Sequence, residues 1–380
     1  MIVLCRKCIE RLGFGTEGEC TLCGNTFDKL DEISDKIISE LENYEFDSFD
    51  VGIRLHGSIA SIMNFIRDRY GIEDSFRDNL RNELIDRIST KTQKRREVNG
   101  DIRIIFFPED LSFKIDVKSV YIYGRYIKRV RDLSQTRWVC KNCDGKGCEM
   151  CSFQGKKYLS VEELIINPAV ELFQGDNGFL HGAGREDVDA RMLGNGRPFI
   201  LEISKPKRRK ISLEELESLI NRNTAGKVEV RLIHYADARD VARLKNANYS
   251  KIYRAVVKFN CDIDESSIAE AIKTLENAVI HQRTPRRVEH RRSDRIRKRK
   301  VYSAKLVLLK NRMAVMEIHA ESGLYIKELV SGDCGRTKPS LSELTGCECH
   351  VERLDVIAVE GGLEDGNLKY NPPVFRIQRR

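Results

Sequence analysis

The sequence lacks long apolar runs, internal repeats and low-complexity linkers. No stretch approaches the roughly 18 consecutive apolar residues that a membrane-spanning helix needs, so the sequence predicts no membrane span. Residues 1–5 are too short for the apolar core of a secretory signal peptide. We therefore expect a globular protein that stays in the cytoplasm.

Charge of one sign is only moderately in excess. Lys and Arg number 66 against 58 Asp and Glu, a formal net charge of +8, and 41% of residues are hydrophobic. This composition is typical of a soluble globular protein and argues against a disordered chain. A length of 380 residues allows two or three domains, each with its own core.

Basic residues concentrate in His281–Lys300, which we call the basic strip. Ten of the 18 residues from Arg283 to Lys300 are Lys or Arg, against only Glu289 and Asp294. The strip contains no aromatic residue, so it favours a sequence-independent grip on phosphates over the reading of bases. An ordinary solvated surface is the alternative.

Twelve cysteines in a reducing compartment favour metal binding over disulfides. Eight of them form two clusters in which paired spacings bring four thiolates to one tetrahedral ion. Because such a site has no open coordination position, we expect one or two structural zinc ions. An iron–sulfur cluster or unliganded thiols are the alternatives. The clusters are Cys5, Cys8, Cys20 and Cys23, and Cys140, Cys143, Cys148 and Cys151.

The remaining cysteines are Cys261, Cys334, Cys347 and Cys349. We expect them to be scattered core or loop thiols. Cys347 and Cys349 could instead hold a further metal ion together with His350.

Hydrophobic periodicity predicts an α+β fold. Strands predominate in the second half without a regular βαβ rhythm, so we expect a mixed, mainly antiparallel sheet with helices packed on it. Helices are predicted over 31–44, 59–70 and 266–275, and after the capping box of Ser212 and Glu215. Strands are predicted over 104–107, 113–117, 228–232, 253–259, 301–309, 313–319 and 351–359. The predicted domains are a cysteine-rich module over 1–44, a small α/β domain over 45–138, the second cysteine cluster over 139–159 and one large domain over 160–380.

The segment 182–206 concentrates groups suited to chemistry. Four glycines frame alternating charges that include Arg185, Asp187 and Arg191. An aspartate beside arginines stays ionised at neutral pH, which suits a nucleophile or a base better than a proton donor. A charged loop held in shape by salt bridges is the alternative.

Two further segments carry candidate site residues. Tyr325 and Lys327 would share one face of a strand, where Lys327 could neutralise a carboxylate. Tyr253, at the head of a predicted strand, could present its ring to a base. The alternatives are an amphipathic strand with an exposed lysine and an ordinary core tyrosine.

Together these motifs resemble the archaeal-type tRNA pseudouridine synthases that carry an N-terminal THUMP domain, and the resemblance covers most of the chain. GREDVDARMLGNGRPF, Lys251-x-Tyr253 and GLYIKEL are similar to the first, second and third catalytic motifs of that family. QRTPRRVEHRR and GDCGRTKPSLSEL, which contain Gln282 and Arg336, also resemble family signatures. The segment before the second cysteine cluster is similar to a THUMP domain.

The resemblance implies a THUMP-like RNA-binding domain over 45–138 and a pseudouridine synthase domain over 160–380. The implied reaction converts uridine 54, uridine 55 or both to pseudouridine in the TΨC arm of tRNA. Asp187 would be the catalytic aspartate, Tyr253 would stack on the target base, and Lys327 would be the basic partner of Asp187. No organic cofactor, membrane or obligate protein partner is implied. The residues expected to bind substrate are Arg185, Tyr325, Arg283, Arg286, Arg287, Arg291, Arg292 and Arg336.

Other functions fit the sequence less well. RNA methyltransferases and thiolation enzymes also contain THUMP-like domains, but 194–197 has no third glycine of a nucleotide loop, and no phosphate loop for ATP is present. A non-catalytic, zinc-stabilised tRNA-binding protein or RNA chaperone remains the alternative. It would leave the charges around Asp187 and the motif around Lys327 without a purpose.

Overall fold

A computed structural model describes residues 3–71 and 76–363, without the side chains of Tyr70 and Arg291. The described chain divides into two compact units. The first comprises the described residues up to 120 together with 170–177 and 203–211, and the second comprises the other described residues. Within the described ranges, no helix is both long enough and apolar enough to cross a bilayer.

The first unit contains a small parallel pair of strands and a four-stranded sheet. The order in this sheet is β4 (Arg95–Arg96), β3 (Ser48–Ile53), β5 (Ile102–Phe107) and β6 (Ser112–Val117). In this sheet β5 and β6 are antiparallel, whereas β3 is parallel to both of its neighbours. Its helices are α1 (Arg6–Leu12), α2 (Leu30–Leu41), α3 (Gly57–Tyr70) and α4 (Phe76–Thr92), with a 3-10 turn over Thr26–Lys29. Its strands are β1 (Val3–Leu4), β2 (Thr16–Glu17), β3 (Ser48–Ile53), β4 (Arg95–Arg96), β5 (Ile102–Phe107) and β6 (Ser112–Val117).

The core of the first unit follows from the periodicity of its elements. In α4, buried residues recur every four positions at Phe76, Leu80, Leu84 and Ile88, which places them on one face of the helix. These side chains belong to the same buried cluster as Phe106 of β5. The predicted helix over 31–44 and the predicted strand that ends before Pro108 are both present.

The second unit holds most of every remaining helix and strand, although residues 120, 170–173, 177 and 203–204 of these elements belong to the first unit. Its helices are α5 (Val161–Phe173), α6 (Leu213–Asn223), α7 (Ala238–Asn246), α8 (Glu265–Leu275), α9 (Ile326–Ser331) and α10 (Leu341–Thr345), with 3-10 turns over Glu149–Cys151 and Arg286–Arg291. Its strands are β7 (Val120–Lys128), β8 (Asn177–Gly182), β9 (Arg191–Ser204), β10 (Val228–Ala236), β11 (Lys251–Phe259), β12 (Val279–Arg283), β13 (Ile296–Lys310), β14 (Met313–Ala320), β15 (Thr337–Lys338) and β16 (Cys349–Val359).

These strands form a ten-stranded sheet in the order β10-β7-β9-β16-β11-β14-β13-β12-β15, with β8 beside β9. The pairs on both sides of β11 are antiparallel, whereas β16 and β9 pair in parallel through Asp355 and Arg191. The prediction of an α+β fold with a mixed, mainly antiparallel sheet is therefore confirmed. Half of the predicted capping box is present, because Ser212 Oγ accepts a hydrogen bond from the Glu215 amide at 3.1 Å and caps the start of α6.

The strand predicted for Tyr325 and Lys327 is wrong. Tyr325 immediately precedes α9, and Lys327 lies in the first turn of that helix. Ile326, Leu329 and Val330 are buried at spacings of three and four, which is the period of a helix. The prediction used only Tyr325 and Lys327, and two residues are too few to show this period.

The expectation that the four cysteines outside the clusters are free thiols is wrong for Cys261 and Cys347. The alternative of a third metal site that includes Cys347 is wrong for the same reason. Cys261 and Cys347 form a disulfide bond with a Cα–Cα distance of 6.1 Å. The antiparallel pairing of Phe259 with Cys349 brings the ends of β11 and β16 together. Because this register depends on the tertiary fold, cysteines 86 positions apart gave no sign of it in the sequence.

We expect Cys261→Ser to lower the free energy of unfolding by about 2–4 kcal/mol, because the disulfide restricts the unfolded chain. Chemical denaturation with and without reductant measures this change. Cys334→Ser is the matched control, since Cys334 is an exposed free thiol. An unfolding midpoint that is the same in wild type and in Cys261→Ser would contradict the assignment.

Candidate active site and metal centres

The second unit contains a cavity of about 780 Å³. The loop between β8 and β9, the head of β11, the start of α9 and part of the basic strip all reach it. Asp187, Tyr253 and Lys327 line this one cavity. The structure thus brings together the three residues that the motifs singled out.

Asp187 is held by two cations. Arg287 Nη1 lies 3.0 Å from Asp187 Oδ2 and donates a hydrogen bond to Oδ1 at 3.1 Å, and Lys327 Nζ lies 3.5 Å from Oδ2. The side chain of Asp187 stays 36% exposed, so its carboxylate can be reached from the cavity. Arg287, from the basic strip, is therefore the nearer partner.

Lys327 lies closer to a second carboxylate. Its Nζ is 2.7 and 2.9 Å from the carboxylate oxygens of Asp189. Burial raises the pKa of Asp189, but the hydrogen bond and the charge of Lys327 outweigh that effect and hold the pKa below its usual range. Lys327 thus links Asp189 to Asp187.

Arg287 is itself fixed from behind. Its Nε donates to Glu328 Oε1 at 2.6 Å, and only 6% of the Glu328 side chain is exposed. Burial alone would lower the pKa of Arg287. The hydrogen bonds and charges of Glu328 and Asp187 outweigh this effect and raise the pKa above its ordinary value. The guanidinium therefore stays charged and is oriented towards Asp187 before any ligand arrives.

Tyr253 and Lys251 lie two residues apart on the buried face of β11 and line the cavity together. Burial raises the pKa of Tyr253 to about 12, so this phenol is neutral at physiological pH. Burial, reinforced by the charge of Arg197, lowers the pKa of Lys251 to about 8. Lys251 Nζ donates to Tyr249 O at 2.9 Å and to Ser322 Oγ at 3.1 Å.

Beneath the Asp187 loop lies a set of buried polar side chains that we call the buried charge cluster: Tyr126, Lys128, Glu186 and Arg197. Arg197 Nε donates to Glu186 Oε2 at 2.9 Å, and Tyr126 Oη donates to the same oxygen at 2.9 Å. Lys128 Nζ lies 3.9 Å from Glu186 Oε1. The side chains of all three charged members are at most 1% exposed.

The buried charge cluster also holds the backbone on both sides of Asp187. Lys128 Nζ donates to the carbonyl oxygens of Asp187 and Val188 at 3.2 Å each. Arg197 Nη1 donates to Ala183 O at 2.7 Å. These bonds tie the loop to β7 and β9, so the carboxylate of Asp187 projects from a fixed backbone.

A second clamp holds the far end of the loop. Asp355 of β16 accepts hydrogen bonds from Arg191 Nε at 2.9 Å and Nη2 at 2.6 Å. Arg131 donates to Asp355 at 2.7 Å and to Asp189 O at 2.6 Å. Asp355 therefore connects the last strand of the sheet to the loop that carries Asp187.

The predicted substrate-binding residues divide into two groups. Arg185, Tyr325, Arg287 and Arg292 line the cavity. Arg283 and Arg336 are engaged in ion pairs with Asp294 and Glu289 outside the lining, and the Arg286 amide donates to Asp333. The side chain of Arg291 lies outside the described part of the structure.

Sequence reasoning missed several residues of the site. Lys128 and Arg197 were not singled out, nor were the cavity-lining Arg297 and Arg299. One signal for Lys128 was available, because Lys128 ends a strand, β7, in which Arg125 is the only other charged residue. A charge at such a place is buried only when it is paired.

Both predicted cysteine clusters bring their four sulfur atoms within 4.8 Å of one another. Four thiolates about 2.3 Å from a tetrahedral zinc ion would lie about 3.8 Å apart. The Sγ atoms of Cys5 and Cys23 are 3.6 Å apart, and those of Cys143 and Cys151 are 3.8 Å apart. The donor sets therefore fit a tetrahedral metal ion, with no position left for a substrate.

The second cluster is closed by tight backbone turns. Gly147 has a φ of 96°, and a Cβ at this position would lie 2.8 Å from Phe153 O. The amides of Cys148 and Gly155 each donate to Cys151 Sγ at 3.2 Å, which lowers the pKa of Cys151 to about 6. The turn thus favours the thiolate, the form that binds metal.

Comparison with known proteins identifies the family. Residues 121–360 match the model "Pus10, C-terminal", and residues 33–106 match "Pus10 THUMP domain, archaeal". The chain belongs to the Pus10 family. A Pus10 relative from Archaeoglobus fulgidus, named "tRNA pseudouridine synthase Pus10", is 48% identical over 94% of this chain and 99% of its own length. A relative of the same name from Methanopyrus kandleri is 42% identical over 90% of this chain and 81% of its own.

Membership of the Pus10 family confirms the resemblance drawn from the motifs, including the THUMP domain. Among solved structures, a chain of a "Cbf5-Nop10-Gar1 Complex" matches 50% of this chain and 43% of its own, at 18% identity and a TM-score of 0.32.

We expect Glu186→Gln to lower the free energy of unfolding by about 3–5 kcal/mol, because it leaves the buried charges of Arg197 and Lys128 uncompensated. Denaturant unfolding measures the loss. Arg185→Gln, next to it on the exposed side of the loop, is the control and should change stability by about 0.5 kcal/mol or less. Equal losses in the two variants would contradict a structural role for the buried charge cluster.

Proposed function

We propose that the chain is a tRNA pseudouridine synthase that isomerises uridine 54, uridine 55 or both in the TΨC arm, with Asp187 as the catalytic aspartate. The observation that carries this proposal is the convergence of Asp187, Tyr253 and Lys327 in one cavity of a Pus10-family chain. The reaction breaks the glycosidic bond, turns the uracil and rejoins it to the ribose through carbon.

Asp187 would initiate cleavage of the glycosidic bond. Its carboxylate is ion-paired with Arg287 and Lys327, and it lines the cavity on a loop whose backbone is fixed. An ionised, partly exposed carboxylate suits attack on an electron-poor centre. Arg287 and Lys327 would keep the carboxylate aimed through the reaction.

Tyr253 would hold the target base. Its ring is buried at the head of β11 with only 8% of the residue exposed, and it stays a neutral phenol. The target uridine must leave its stack to reach a carboxylate in a cavity, as other enzymes that act on bases require. A ring at the cavity wall stabilises such an extruded base by stacking.

The remaining predicted groups would hold the RNA. Arg185, Tyr325 and Arg292 line the cavity, and the exposed members of the basic strip would neutralise phosphates beside it. The two cysteine clusters would each bind a structural zinc ion that crosslinks its loop. We also propose that the protein is located in the cytoplasm. For the domains we keep the predicted boundaries, with the THUMP-like domain over 45–138 and the synthase domain over 160–380.

We expect Asp187→Asn to reduce turnover by about three orders of magnitude or more while RNA affinity is retained. Pseudouridine mapping on an unmodified tRNA transcript measures turnover, and filter binding measures affinity. Asp189→Asn is the matched control, because Asp189 pairs with the same lysine but is 62% exposed. An exposed ion pair contributes about 1 kcal/mol or less, so this control should lose less than about tenfold.

The same two assays on the wild-type protein test the non-catalytic alternative. A zinc-stabilised tRNA-binding protein would bind transcripts tightly without forming pseudouridine in any of them. That result for the wild-type protein, over a range of tRNAs, would overturn the enzyme assignment.

We expect Arg292→Gln and Lys298→Gln each to reduce the slope of log binding constant against log salt by about one unit. Both side chains are exposed and have no ion-pair partner among the described residues. Binding measured at several salt concentrations gives the slope. Arg239→Gln, a similar charge loss on α7, should leave it unchanged. Equal slopes in all variants would contradict the placement of phosphates on the basic strip.

A further inference from the structure

Two aromatic side chains that flank the second cysteine cluster in the sequence reach the cavity. Trp138, the one tryptophan in the sequence, and Tyr158 line the same cavity as Asp187. Both side chains are half-buried. Neither residue has a part in the proposed chemistry. Their position in the lining of the cavity is therefore not accounted for by the proposed reaction.

Their position follows from the local fold of the cluster. Val139 and Lys156 form an antiparallel bridge, the Lys157 amide donates to Trp138 O at 3.0 Å, and the Cys140 amide donates to Gly155 O at 2.9 Å. The segment therefore folds as a hairpin whose loop is closed by the four cysteines. Trp138 and Tyr158 flank this hairpin, one residue before Val139 and two residues after Lys156.

The two rings form a corner. Their centroids are 5.5 Å apart and their planes meet at 73°. In this edge-to-face arrangement each ring helps to hold the other in place, and both rings line the cavity. The pair is therefore preorganised as a stacking surface.

Positive charge accompanies the rings. Lys157 Nζ lies 5.3 Å from the centroid of Tyr158. Residues 137–158 contain five Lys or Arg, namely Arg137, Lys141, Lys146, Lys156 and Lys157, against Asp144 and Glu149. An aromatic surface beside cations is the combination by which proteins bind single-stranded nucleic acid.

The size of the cavity leaves room for more than the target base. At about 780 Å³ it lies in the upper part of the range of about 300–1,000 Å³ found for pockets that enclose drug-sized ligands. Tyr253 and Asp187 occupy the wall that would receive the uridine. Trp138 and Tyr158 come from a different segment of the chain that lines the same cavity.

We propose that Trp138 and Tyr158 form a second stacking site, which takes an unpaired nucleobase flanking the target uridine. The ligand class is a single-stranded ribonucleotide, with its base on the rings and its phosphate near Lys157. The identity of the RNA rests on the proposed function. The stacking itself does not, because it requires no turnover.

The lone tryptophan supplies the test. Its emission is recorded while the full-length, zinc-loaded protein is titrated with an unmodified tRNA transcript. We expect saturable quenching as a base stacks on the indole. Dissociation constants are measured in parallel for wild type, Trp138→Phe, Trp138→Ala and Tyr158→Ala.

Loss of one stacked base costs about 5- to 150-fold in affinity, and we expect that loss in Trp138→Ala and Tyr158→Ala. Trp138→Phe keeps a ring and should stay within about threefold of wild type. Phe179→Ala is the control, because Phe179 is an aromatic residue of the same unit, 47% exposed and outside the cavity lining, and its affinity should not change. Zinc content shows that each variant keeps its metal sites.

Unchanged emission at saturating RNA, or full affinity in both alanine variants with normal zinc content, would overturn the stacking site. If Trp138→Ala loses zinc, the decision rests on wild-type quenching and on Tyr158→Ala. Asp187→Asn separates the two proposals, because it should lose turnover and still show the same quenching. Quenching without pseudouridine in the wild type would leave the stacking site standing and remove the proposed function.

Discussion

The pairing of Glu186 with Arg197 inside the sheet is the interaction on which the site depends. Each ion costs several kcal/mol to remove from water, and that cost is offset only when all partners are present. Glu186 is the residue before Asp187, so the same contact that satisfies a buried charge also fixes the neighbouring carboxylate. Lys128 completes the arrangement by binding the carbonyl oxygen of Asp187 itself. The partly exposed carboxylate of Asp187 is thus carried on a backbone that its buried neighbour helps to hold.

Much of the fold was predictable because the hydrophobic periodicity of many helices and strands is visible in their local sequence. The helix after Ser212 and the strand from Tyr253 to Phe259 have the residue types and spacings that those structures need. The helix that carries Lys327 was missed because only two residues of its motif were considered. The disulfide between Cys261 and Cys347 was missed because it depends on the register of two strands, which is a property of the completed sheet.

The candidate site shows the same division. Asp187, Tyr253 and Lys327 were found as motifs, and the structure places them in one cavity. Their supporting groups were not found, because Lys128 and Arg197 act through distances that only the tertiary fold fixes. Arg287 was expected to bind substrate, yet in the structure it is the nearest cation to Asp187. The chemical types of the residues were readable in the sequence, whereas their partners were not.

The parallel pair of β9 and β16 has a consequence for how the protein is made. Arg191 and Asp355 are 164 positions apart, and their contact closes the loop that carries Asp187. Each cysteine cluster, in contrast, lies within a short stretch of sequence and can form as soon as that stretch leaves the ribosome. Contacts between distant residues form late in folding because their loop-closure entropy is large. The hairpin that contains the second cysteine cluster can therefore fold early in synthesis, whereas the loop that carries Asp187 is secured only after β16 has been translated.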